Sequence, residues 1–134
     1  SLPNVESWQA RIFGGRWLHH DPPRHLFYLG PRALDAQLGH LSFSRLHRSF
    51  FSLEQNPFGF QQSILNCILA RRDVLYDALK GDPRVRAEVG GVSLFLQMVF
   101  FVTTFPLFAL LSLVESLVGR GGTMELVYQR DRDA

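Results

Sequence analysis

From Val89 to Val114 the chain runs for 26 residues without a charged side chain. A run of that length limits the fold more than any other feature, because about 20 apolar residues in a helix suffice to cross a bilayer. Gln97, Thr103, Thr104 and Pro106 interrupt it, and Gly90-Gly91 opens it. The pattern predicts two core helices broken near Pro106. The alternatives are a monotopic element on a membrane surface or beside a hydrophobic substrate, and a true span. The apolar helical stretch as a whole covers residues 89–118.

The remainder fits one domain over residues 1–134, long enough for a real core. Hydrophobic residues make up 46% and charged residues 19%, and the net charge is +2. That balance gives no reason to expect nucleic acid as a partner. A single cysteine, Cys67, excludes an internal disulfide and a multi-cysteine zinc site, and it suits a reducing, cytoplasmic compartment. The chain opens Ser1-Leu2-Pro3-Asn4 without Met, and we expect the natural protein to begin earlier.

Along the chain, Asn4 as a cap with Val5, Trp8, Ile12 and Phe13 predicts a short helix stopped by Gly14-Gly15. Gly30-Pro31 starts a second helix with Leu34, Leu38 and Leu41 on one face. Phe43 to about Leu53 reads as a strand. Asn56-Pro57 and Gly59 read as a turn. Phe60 to Lys80 then reads as the longest regular helix outside the uncharged run, with Phe60, Ile64, Cys67, Ile68, Leu75 and Leu79 on its apolar side. A short charged link follows Gly81-Asp82-Pro83. Thr123 to Arg130 alternates Met124, Leu126 and Tyr128 with polar residues, the period of a half-buried strand. The expected class is α/β (α+β as an isolated segment), mostly helical with two antiparallel strands.

Three of the five histidines lie between Arg16 and Leu29, in a loop that Pro22-Pro23 keeps non-helical. His19, His20, Asp21 and His25 are metal-ligand types, but adjacent histidines diverge and four converging ligands are wanting. A polar surface turn is the stronger reading. Trp8 and Trp17 read as core aromatics, Gln61, Gln62 and Asn66 as a solvated helix face that could reach a pocket, and Arg71 and Arg72 as a solvated patch. Cys67 reads as inert packing. No GxSxG supports a serine triad.

Trp17, the segment Asp21-Pro22-Pro23-Arg24-His25-Leu26, Asn56-Pro57-Phe58-Gly59 and Gly119-Arg120-Gly121-Gly122-Thr123 together resemble the C-terminal part of class I S-adenosylmethionine-dependent methyltransferases. The resemblance runs from Leu2 to about Arg130, in a branch with an apolar helical insertion before the last strand. It implies the closing portion of a Rossmann-like seven-stranded sheet whose last strand is antiparallel and lies between the fifth and sixth. Leu2-Pro3-Asn4 would follow strand five, Phe43 to Leu53 would be strand six and Thr123 to Arg130 strand seven. The family has glycine before the Phe that opens strand six, where this chain has Ser42. It also implies a substrate-facing role for the histidine loop. His20 or His25 is the candidate base for a small-molecule methyl acceptor, and Trp17, Asp21, Arg24 and Gln62 are candidate substrate contacts. The competing reading is that Asp21, Arg24 and His25 brace the loop. The apolar insertion implies a hydrophobic acceptor, such as a quinone-like or lipid-linked molecule.

S-adenosylmethionine is implied for the full-length protein and not for this segment. No Gly-rich turn follows a strand here, as a nucleotide loop requires. A different class of function, a non-catalytic module that oligomerises or contacts a membrane surface, remains the rival. An unpaired strand edge and the uncharged run both predict a homo-oligomer, with Phe95, Phe100, Phe101, Phe105 and Phe108 in a shared core.

Overall fold

The computed structural model describes residues 2–21, 25 and 27–131, apart from the Arg86 side chain. Its central strand is the one whose alternation is plainest. Strand β3, Thr123–Arg130, turns Met124, Leu126 and Tyr128 inward and leaves Glu125, Val127 and Gln129 exposed. On one side it pairs antiparallel with β2, Phe43–Ser49, from Phe43 opposite Arg130 to Ser49 opposite Glu125, with a bulge at Leu46. On the other side lies β1, Leu2–Pro3, also antiparallel, with Pro3 opposite Thr123. The sheet therefore has three strands in the order β1-β3-β2, not two. The turn into β2 places Ser42 at φ 60°, a backbone position that favours glycine.

Helix α1, Trp8–Phe13, is capped by the Ser7 hydroxyl, which accepts from the Ala10 N–H, rather than by Asn4. Asn4 is buried and ties the chain start to the last turn: its Nδ2 donates to Gly121 O at 3.0 Å and its N–H to Gly122 O at 2.9 Å. Helix α2, Pro31–Gly39, begins with its proline as expected, but Leu41 beyond it is exposed. Asp35 fastens α2 to the sheet, accepting from Tyr128 Oη at 2.8 Å and pairing with Arg45.

The long helix expected from Phe60 to Lys80 is two. Helix α3, Gln55–Ile68, takes in Asn56, Pro57 and Gly59, and helix α4, Val74–Leu79, follows a break. The cause is Asn66, whose side chain accepts from Asp73 N–H at 2.8 Å and donates to Asp73 Oδ1 and Arg16 O. Those bonds hold Asp73 at φ 57° and outcompete the next helical turn. The burial of α3 follows the expected face only in part: Phe60 is buried and Ile64 half-buried as expected, and Leu75 on α4 is buried too. Gln61, Gln62, Ser63 and Asn66 are fully buried, whereas Cys67 and Ile68 are exposed. Leu79 on α4 is exposed too, and Trp8, expected in the core, is 39% exposed while Trp17 is buried. The charged link is a short helix, α5, Pro83–Glu88, capped by Asp82.

Helix α6, Gly91–Leu117, runs unbroken through Pro106. Proline removes one backbone donor, the one that would bond Val102 O, and polar side chains bond the carbonyls of the turn before it. Thr103 and Thr104 hydroxyls donate to Val99 O and Phe100 O, each at 2.7 Å, and Gln61 Nε2 donates to Phe101 O at 2.8 Å. By length and composition α6 could cross a bilayer, and it is not a core helix: 6% of its most apolar window is buried. It packs along α3 through Phe108 on Phe60 and Phe101 on Phe58. Phe100 and Phe105 are half-buried and Phe95 is exposed.

Candidate functional site

The histidine loop leaves the short 3-10 turn Gly14–Arg16 and is anchored first at Trp17, Leu18 and His20. Trp17 Nε1 donates to Gln9 Oε1 at 3.4 Å, and Leu18 N–H donates to Ser63 Oγ at 2.9 Å. A tight turn closes from His20 N–H to Trp17 O. Arg72 lies over this turn and donates from Nη2 to the carbonyls of Trp17 and His20, both at 3.2 Å, so it is a staple and not a solvated patch. Arg71 pairs with Asp77 and Glu88.

Beyond the turn, Asp21 N–H donates to the Tyr28 hydroxyl at 3.1 Å, and His25 Nδ1 meets Asp21 Oδ1 at 2.7 Å. The local brace expected between Asp21 and His25 is therefore present. Among the described residues no group of three or more ligand side chains is placed to hold a metal.

Beside this loop a cleft of about 820 Å³ opens where β1 ends and β3 begins. Pro3 and Thr123 form its sheet end; Phe101 and Phe105 of α6 and Phe58 of α3 line its apolar walls; His19, Asp21 and His25 bring polar groups from the loop, and Glu54, Tyr76 and Lys80 bring others from the helices. A mainly apolar cavity with a few convergent polar side chains is the usual form of a small-molecule site. The candidates divide accordingly. His25 and Asp21 line the cleft. His20 does not: it is exposed and stacks on Tyr28 at 5.2 Å. Trp17 is buried behind the loop. Gln62 is sealed inside, donating to Asn66 Oδ1 and accepting from Tyr76 N–H, so it is not a substrate contact in this arrangement. Arg24 lies outside the described residues.

His19, weighed from the sequence only as a metal ligand, also lines the cleft. No local pattern separates it from its neighbours, since the turn at Trp17–His20 decides which ring faces inward. Its Nε2 is buried without a hydrogen-bond partner, facing Gly59, where a Cβ would lie 3.2 Å away. Burial pushes the imidazole down to about 4, with the Asp21 charge acting in the opposite direction. The folded chain thus holds His19 neutral while the unfolded chain takes up the proton below its ordinary value. Stability should be complete above about pH 6.5 and decline toward about pH 4, at up to about 1.4 kcal/mol per pH unit. Urea midpoints at successive pH values, compared with those of His19→Asn, check this. A variant with the same slope would contradict it.

Compared with protein-family models, with curated proteins and with solved structures, the chain matches none.

Proposed function

We propose that the chain is the C-terminal, acceptor-side segment of a class I S-adenosylmethionine-dependent methyltransferase, acting in the cytoplasm on a hydrophobic small molecule. The observation that carries this reading is the sheet: β1 and β2 run parallel to each other with β3 antiparallel between them. The family resemblance puts Leu2-Pro3-Asn4 directly after strand five, strand six at β2 and strand seven at β3, so a last strand antiparallel between its two neighbours is the arrangement it implies. The cleft lies at the carboxyl end of β1, where open α/β sheets take their ligands.

S-adenosylmethionine supplies the methyl group in such enzymes. Nothing in the described residues forms the Gly-rich cradle that would hold it, so on this reading the cofactor side lies elsewhere in the protein. The part left to this segment is orientation and proton handling. With Nδ1 held by Asp21, the tautomer protonated there leaves Nε2 of His25 as the basic nitrogen. That nitrogen would take the proton an acceptor hydroxyl or amine gives up. Phe101, Phe105 and Phe58 would hold the acceptor's apolar body.

A second reading, a non-catalytic module that associates with membranes or with itself, is favoured by the exposed apolar face of α6. Titration calorimetry with S-adenosylmethionine separates the two. The protein expressed from its own start codon should bind, and the 134-residue chain should not. Binding by the 134-residue chain at micromolar concentration would refute the assignment of the cofactor side elsewhere. Binding by neither would favour the module.

A further inference from the structure

We propose that α6 docks in the plane of a lipid bilayer, its outer half in the hydrocarbon and its inner half on the domain. This does not depend on the enzymatic reading. Helix α6 carries seven polar side chains, and six of them, Ser93, Gln97, Thr104, Ser112, Glu115 and Ser116, are buried or half-buried. The outer face is apolar: Val92 is 75% exposed, Phe95 66%, Leu110 60% and Leu117 78%. Its one hydroxyl, Thr103, is bonded back to Val99 O at 2.7 Å and offers little to water. A helix on the surface of a water-soluble domain has the opposite arrangement, with polar residues outward. Polar groups inward and apolar groups outward is what hydrocarbon on the outside demands.

The inner face is firmly attached. Glu115 accepts from Gln9 N–H at 3.2 Å and Gln9 Nε2 at 3.0 Å, Ser116 Oγ donates to Phe50 O at 2.9 Å, and Gln61 donates to Thr104 Oγ1 at 2.8 Å. A crossing orientation would carry α3 and α4 into hydrocarbon together with Arg71, Arg72, Asp73, Asp77 and Lys80 beside them, which is costly for each charge. Lying flat immerses only the outer half.

A bilayer fits this face better than protein does. Half the surface of a helix about 40 Å long and about 10 Å across is roughly 600 Å². A second copy packing helix on helix covers one stripe of it. A protein interface of that area also carries several hydrogen bonds, roughly one per 100–200 Å². The outer face of α6 presents no free group to make them.

Flotation with phosphatidylcholine vesicles tests the proposal on the full chain. The wild-type chain should rise with the vesicles, and Val102→Glu or Leu110→Glu should each lower the floated fraction by about tenfold or more, with helical circular dichroism retained. A wild-type chain that stays in the lower fractions as a discrete oligomer would overturn the proposal in favour of a second copy. Flotation indifferent to both glutamates would overturn it as well. Orientation is read from an environment-sensitive dye on Phe95→Cys, Val102→Cys and Leu110→Cys, each combined with Cys67→Ser, by depth-dependent quenching. Equal depths support the flat orientation, and graded depths would overturn it in favour of a span.

Discussion

Replacing Gly121 with alanine is expected to cost at least about 3 kcal/mol of stability, enough to unfold a domain of ordinary marginal stability. A Cβ built on Gly121 would lie 2.0 Å from the Phe50 carbonyl oxygen and 3.0 Å from Ser116 Oγ. The carbonyl is backbone and cannot yield cheaply. It is also held from two sides, by Asn56 Nδ2 at 2.8 Å and Ser116 Oγ at 2.9 Å. Displacing Gly121 instead would pull β3 away from its other anchors. Asn56 Oδ1 accepts from Thr123 N–H at 3.0 Å and from Thr123 Oγ1 at 2.8 Å, and Asn4 Nδ2 reaches Gly121 O. Each buried group left unpaired costs about 1–3 kcal/mol. Gly15 is the control, because a Cβ there meets nothing within 4 Å. Gly15→Ala should shift the denaturation midpoint little. Equal midpoints for the two variants would mean that the contact between Gly121 and Phe50 is not where β3 is fixed.

The same buried network explains what the sequence could not reveal. Strand β3 was legible because Met124, Leu126 and Tyr128 alternate with polar residues and one face meets water. Helix α1 was legible from its glycine stop, and α2 from Gly30-Pro31. Helix α3 misled in part, because its polar side chains are buried and several of them bond distant partners. Asn56 bonds Thr123, 67 residues away, and Gln61 bonds Phe101, 40 residues away. Gln9 and Glu115 meet across 106 residues. Hydrophobic periodicity assumes that polar means solvated, and it cannot register such pairs. Helix α6 misled for the converse reason, since its apolar majority faces outward. Strand β1 is two residues long and is defined only by its register with β3. In the histidine loop, the residue types that could do chemistry were evident. Their division into His19 and His25 at the cleft and His20 outside it came from one turn and from the Arg72 staple.

The second large effect expected is at His25. Its pair with Asp21 is part-exposed, with side chains 33% and 25% accessible, and such pairs contribute no more than about 1 kcal/mol. His25→Ala should therefore lower the melting temperature by no more than about 4 °C in a domain of this size. If the imidazole takes the acceptor's proton, the same substitution should reduce turnover about a hundredfold or more. The brace and the base thus differ in their effect on rate relative to stability, and the decisive measurement takes both from one variant. The protein expressed from its own start codon, wild type and His25→Ala, would be given S-adenosylmethionine with a tritiated methyl group and a solvent extract of the host cells. Initial rates of label transfer would be set beside thermal melts. A hundredfold loss of rate with a nearly unchanged melting temperature is the result predicted for an acceptor-side base. Rate and melting temperature falling in step, or a rate unaffected by the substitution, would contradict it.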